Sequence, residues 1–310
     1  TAAFRDDRAR SDRVVVDVAL PAAPDGQALV AFLTSGDGSV ALPLGPLAPD
    51  GAGRARLAYS APDGQNLAGL YSRFVVTSAP AGSAPERPSG ALVFEGRLPP
   101  GAFSHLVRLL ADGPGLPARQ GYAAGMRVQT DELLRHARLV AASQTAGDLA
   151  GVRRHAEHVY NLLAGSRDGR FGDLDGDGRS QNPGDGFGLL PNGDQAGYIQ
   201  AVVEAAGAAA QAEDATRAIQ VHAGHVTVSA ENMLGWASEA RDLALRLTQT
   251  PDVATAAADA ARLVVLAQQV QRGLDADGDG EIAPVAGEGG GIVAYEHAQF
   301  MAGFGLFPLP

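Results

Sequence analysis

Six of the seven histidines in this chain fall in four short segments, and in each segment an alanine follows the first histidine: His136-Ala137, His155-Ala156, His222-Ala223 and His297-Ala298. Two of the segments are close copies. Val152-Arg-Arg-His155-Ala-Glu-His158-Val159 and Ile219-Gln-Val-His222-Ala-Gly-His225-Val226 share an apolar residue, a histidine three positions later, alanine, a second histidine and valine. Imidazole is the commonest metal-ligand side chain, and a spacing of three brings two rings to one side of a helical turn. Two such pairs on facing helices would supply four nitrogens, from His155, His158, His222 and His225, to zinc, copper or iron, with Glu157 nearby. A second use of the same residues is a non-covalent haem with axial ligands drawn from His136, His155, His222 and His297. A third is plain core packing. No Glu-x-x-His pair occurs, which argues against a di-iron carboxylate centre.

Carboxylates gather at two other places. Asp173-Leu-Asp175-Gly-Asp177-Gly178-Arg179 and Asp275-Ala-Asp277-Gly-Asp279-Gly280-Glu281 carry aspartates at loop positions 1, 3 and 5, glycine at 6 and a backbone carbonyl at 7, from Arg179 and Glu281. Both resemble EF-hand-like calcium loops, which implies about two bound calcium ions. Position 12 departs from that pattern: it is Gly184 in one loop and Ala286 in the other, where a bidentate glutamate is usual. Asp185 or Glu288 would then complete the shells, or else a group from elsewhere in the fold or a water molecule. The aperiodic segment 181–194 needs a device to order it, and calcium would serve.

Other chemistry is excluded or absent. The 310 residues include no cysteine and no lysine, so thiolates, disulfides, iron–sulfur clusters, covalent c-type haem, Schiff bases and catalytic lysines are ruled out. A nucleophile elbow, HExxH, P-loop and Rossmann fingerprint are all missing. A net charge of -11 leaves no basic stripe for nucleic acid. No run of apolar residues is long enough to span a bilayer.

The elements that must position these groups change character along the chain. Residues 12–110 hold six short β-branched runs, at 14–18, 28–33, 39–44, 53–59, 73–77 and 91–96, separated by Asp-Gly turns. Strands at this spacing predict an antiparallel β-sandwich. Leu44-Gly45-Pro46-Leu47-Ala48-Pro49-Asp50 with Leu57-Ala58-Tyr59, then Leu67, Leu70-Tyr71-Ser72-Arg73, Val76-Thr77 and Pro88-Ser89-Gly90 through Gly96-Arg97-Leu98, follow a further pattern. On these residues 14–96 resembles the extracytoplasmic C-terminal domain of anti-sigma-K factors. The resemblance implies a β-sandwich outside the membrane. It does not imply sigma-factor regulation, because that family's zinc-binding helices and transmembrane span are missing.

After an N-terminal arm (1–11), the sandwich (12–110) and a linker (111–127), residues 128–310 read as an all-α helical bundle. Helices are expected from Thr130, which looks like an N-cap, from Gly147 to Leu163, from Asp194 to Gln220, from Thr227 to Thr248, from Val253 to Leu274 and from Ile292 to Gly303. The aromatic tail from Phe300 to Phe307 either packs on this bundle or meets a partner. The chain begins Thr-Ala-Ala, which fits a removed signal peptide and an extracytoplasmic location. The reading is an exported calcium-binding structural or interaction protein, or an accessory subunit of the cell envelope, with a protein partner or self-association. The alternative is a haem- or transition-metal-binding redox or metal-handling protein built on the histidines.

Overall fold

A computed structural model describes residues 1–6 and 9–309; residues 7 and 8 of the expected arm, and residue 310, lie outside the described residues. All six runs form strands: β2 (Arg13–Ala19), β3 (Gln27–Thr34), β4 (Ala41–Leu47), β5 (Arg54–Ser60), β6 (Arg73–Pro80) and β7 (Leu92–Arg97). Two more, β1 (Ala2–Phe4) and β8 (Phe307–Pro308), come from near the chain's ends. Every pairing is antiparallel, in a three-stranded sheet β1-β2-β5 and a five-stranded sheet β4-β3-β6-β7-β8. Val14, Val16 and Val18 of β2 alternate inward with period two and join Leu29, Ala31 and Leu33 of β3 in one core. Both faces of β3 are covered, since Val30 and Phe32 form a second small cluster with Val75 and Ala79.

Seven helices follow: α1 (Pro100–Leu110), α2 (Tyr122–Thr145), α3 (Leu149–Ala164), α4 (Gly197–Gln211), α5 (Arg217–Thr248), α6 (Val253–Arg272) and α7 (Gly291–Met301). Several boundaries differ from expectation. Residues 100–110, read as the end of the strand region, form α1: Pro100 opens it, and Ala102, Leu106, Leu109 and Leu110 are buried at helical spacing. The expected linker contains the first turn of α2. Thr130 lies inside that helix, buried, and its hydroxyl donates to the Arg127 carbonyl 2.8 Å away, so it caps nothing. Asp194 pairs with Arg167 instead of capping α4. The alanine-rich run breaks at 212–216, where the Thr216 hydroxyl accepts from Ile219 N and starts the single long helix α5.

The three-residue connection 146–148 folds α3 back along α2, with Asp148 accepting from Gly151 N as its cap. α3 packs on α2 and α5, and α5 packs also on α4, α6 and α7. Ala137, Ala156, Ala223 and Ala298, the residues after the four leading histidines, are all buried. Their small side chains let these helices approach closely enough for imidazoles to meet across the seams. The tail divides: Phe300 and Met301 end α7 within the bundle, while Phe304 packs against Phe4 and Phe74 and β8 extends the five-stranded sheet. No helix among the described residues is long and apolar enough to cross a membrane.

Candidate metal centres

The expected four-imidazole site does not form, because the two His-x-x-His pairs do not face each other. Each pair instead takes a third ring from another helix. His136 on α2 meets His155 and His158 on α3, and His297 on α7 meets His222 and His225 on α5. The two single histidines are the hubs: His136 Nδ1 lies 3.3 Å from His155 Nδ1 and 3.1 Å from His158 Nδ1. In the second triad His297 Nδ1 lies 2.8 Å from His222 Nδ1 and 3.3 Å from His225 Nδ1. Within each triad the ligand atoms fall inside 4.8 Å, so each can chelate a metal ion. Tetrahedral coordination at a zinc–nitrogen distance of about 2.0–2.1 Å sets ligand nitrogens roughly 3.3–3.4 Å apart, close to what the rings already adopt.

The polar neighbours fix the protons of the first triad. Arg135 Nη2 lies 2.7 Å from His136 Nε2, and a guanidinium only donates, so Nε2 accepts and the ring's proton sits on Nδ1. His158 Nε2–H donates to Gln181 Oε1 at 3.0 Å, while the amide nitrogen of Gln181 faces Asp177 at 3.4 Å. His158 Nδ1 is therefore bare. The hub's one proton lies within reach of both other Nδ1 atoms, whereas a ring nitrogen has a single in-plane direction for a hydrogen bond. A cation at that position would engage all three nitrogens. His136 would then carry its proton on Nε2, which requires Arg135 to turn away and leave Glu132 Oε2, 3.8 Å from that nitrogen, as its acceptor. Carboxylate and amide partners of this kind tune metal-ligating imidazoles. Gln181→Ala is expected to weaken metal binding at the first triad by about 10- to 100-fold while leaving the second unchanged, as read by titration calorimetry.

Every shifted ring in the triads is less basic than usual. Burial, then the Arg135 charge and the two neighbouring rings, push His136 down to about 3. Burial and then His158 lower His155 to about 4, burial with His225 and His222 lowers His297 to about 4, and burial, His225 and Arg5 lower His222. Neutral imidazole is the form that binds metals. An unfolded histidine titrates near 6.5, so below that pH the unfolded chain takes up protons that the folded one refuses. The stability of the metal-free protein is thus complete above about pH 6.5 and should drain away as pH falls to 4. The loss is on the order of a few kcal/mol after solvent screening of the half-buried rings. Urea midpoints that stay flat between pH 6.5 and 4 would contradict this.

The aspartate loops are alike down to single hydrogen bonds. Position 1 accepts from the backbone N–H groups of positions 4 and 6: Asp173 from Gly176 and Gly178 at 2.8 Å each, Asp275 from Gly278 at 2.7 Å and Gly280 at 3.0 Å. Those four glycines have φ between 78° and 90°, a region closed to most side chains. Asp175 and Asp277 accept from position 5, and Asp177 and Asp279 from Arg179 N and Glu281 N. In each loop a buried glutamate binds the N–H of position 9. Glu157 Oε1 accepts from Gln181 at 2.7 Å, and Glu288 Oε2 accepts from Ala283 at 2.9 Å.

Glu157 thus belongs to the first loop and not, as expected, to the histidines. It clusters with Asp173 and Asp175, while Asp275, Asp277 and Asp279 cluster in the second loop; each group can chelate a metal ion. Asp185 does not complete a loop either. It accepts from the Tyr198 hydroxyl at 2.5 Å and from Phe187 N at 3.0 Å. A side chain at position 12 of the first loop would displace the end of Gln129, since a Cβ on Gly184 would lie 2.4 Å from Gln129 Oε1. Segment 181–194 is ordered by buried Phe187, Leu189 and Leu190 and by Asn192, whose amide donates to the Phe187 and Leu190 carbonyls at 3.0 Å. Asn161 ties the loop's flanks by donating to Gly172 O and Gln181 O. Gln181 and Asn182 fold back beside His136 and His158, lining one cavity with them. The seventh histidine, His105 on α1, stands apart from both triads.

No protein family, curated relative or solved structure matches this chain.

Proposed function

We propose that this chain is a metal-handling protein whose two three-histidine centres each bind one transition-metal ion, zinc or copper being favoured by all-imidazole ligation. The observation that carries the reading is the convergence of two Nδ1 atoms on a third, the hub nitrogen, at 2.8–3.3 Å, at two separate places. Haem fits less well. Its axial nitrogens lie on opposite faces of a flat ring, whereas His136 with His155, and His222 with His297, already touch through their Nδ1 atoms. Three nitrogen ligands leave a tetrahedral ion one further position, as in catalytic and exchange sites and unlike closed structural ones. The test is metal content after purification without chelator, followed by titration with Zn2+ and Cu+. Two equivalents per chain, reduced to one by His136→Ala and to one by His297→Ala, are expected. Binding indifferent to both substitutions would sink the reading.

A second component of the reading is calcium at the aspartate loops, supported by their matching hydrogen bonds and matching buried glutamates. There calcium would staple α3 to α4 and α6 to α7 without taking part in chemistry. Asp173→Asn and Asp275→Asn should each remove one calcium equivalent in equilibrium dialysis. The resemblance of residues 14–96 to an extracytoplasmic domain, and loops suited to millimolar calcium, support an exported accessory role in the cell envelope. Recovery of the native protein from the cytosolic fraction would contradict that placement.

A further inference from the structure

We propose that the second triad binds a small carboxylate with an apolar body, held jointly by the open position of its metal ion and by Arg5; this rests on the metal reading above. The two triads have different surroundings. Beside the first, Arg135 is already committed to Glu132 at 2.6 Å and to His136, and Gln181 closes over His158. Beside the second lies a cavity of about 450 Å³ whose wall includes Ala2, Ala3, Arg5, His222, Phe300 and Phe304.

Arg5 is the one charged side chain among the described lining residues, and none of the ion pairs among the described residues involves it. Its guanidinium is held 4.1 Å above the Phe300 ring centroid. Phe300 in turn lies against both His222 and His297, at 5.1 and 5.2 Å between centroids. Cation, aromatic wall and ligand nitrogens are therefore contiguous. A lone guanidinium matches the two oxygens of a carboxylate. The alanine and phenylalanine walls suit an apolar body and would leave much of a phosphate dianion desolvated and uncompensated.

Cobalt(II) loaded into the full chain supplies a visible spectrum for the test, with benzoate, acetate and inorganic phosphate as probes. Benzoate should perturb the cobalt bands saturably, and at least about tenfold more tightly than acetate or phosphate. Arg5→Gln should weaken benzoate by about tenfold or more without changing cobalt affinity. His297→Ala should abolish the benzoate effect, whereas Gln181→Ala, at the other triad, should leave it intact. Cobalt bound at the second triad but indifferent to benzoate, or preferring phosphate, or blind to Arg5→Gln, overturns this proposal alone. Cobalt binding that ignores His297→Ala overturns the metal reading as well, so the two failures are told apart. Should His297→Ala not fold, His297→Gln serves in its place.

Discussion

Glu157→Ala is expected to cost about 3–5 kcal/mol of stability, more than any other single change at these sites. The carboxylate is 1% exposed and accepts three backbone N–H groups: Leu174 at 2.7 Å, Asp175 at 3.2 Å and Gln181 at 2.7 Å. Hydrogen bonds to a charged acceptor contribute about 1.5–3 kcal/mol each, and removing the acceptor strands the donors it served. These three bonds share one acceptor and are not additive, which holds the sum below their total. Glu157→Gln keeps the shape but loses the charge and one acceptor, so about half the loss is expected. Denaturant unfolding of both variants separates the cases. A Glu157→Ala protein within 1 kcal/mol of the parent would show that the loop does not depend on this residue. The same substitution frees Gln181, so metal affinity at the first triad should fall with it.

Metal binding should produce an effect of comparable size in the opposite direction. A ligand at a thousandfold excess over its Kd stabilises the folded state by about 4 kcal/mol per site, so two occupied triads should add about 8 kcal/mol and raise Tm by roughly 10–20 °C. His136→Ala and His297→Ala should each remove about half of that increment, and the double variant all of it. The hubs are the positions to change because each touches both other rings and is its triad's only ligand from a second helix, so that its loss leaves two rings on a single helix. Calorimetric scans with and without zinc provide the measurement. A double variant that still gains the full increment would place the metal elsewhere.

Much of this arrangement was legible in the residues. The strands followed from β-branched runs between Asp-Gly turns, and the helices from apolar spacing. The His-x-x-His copies identified two-thirds of each triad. What spacing could not reveal was pairing between elements: nothing in the local sequence says that α3 meets α2 while α5 meets α7. The signal that could have completed the triads was present in the alanine after His136 and His297, the same small neighbour that marks the paired segments. Glu157 reads in sequence as a neighbour of the histidines, because its position beside His158 says nothing of a loop that returns from residues 174–181. At position 12 of the first loop the neighbour is visible only in three dimensions: the end of the Gln129 side chain lies against Gly184. The strands β1 and β8 escaped notice because three- and two-residue segments carry no periodicity.

Phe4 and Phe304, near opposite ends of the described chain, lie 5.6 Å apart at ring centroids, and Ala2 bridges to Phe304 through the backbone. The five-stranded sheet is therefore unfinished until its last strand, β8, has been made. During synthesis β2 to β7 emerge before β8 and must wait, with β7 as a bare sheet edge, while some two hundred intervening residues are made. Such an edge is a template for unwanted pairing. The Arg73–Glu95–Arg97 ion pairs run along that part of the sheet, and charge of this kind discourages one exposed edge from joining another during the wait.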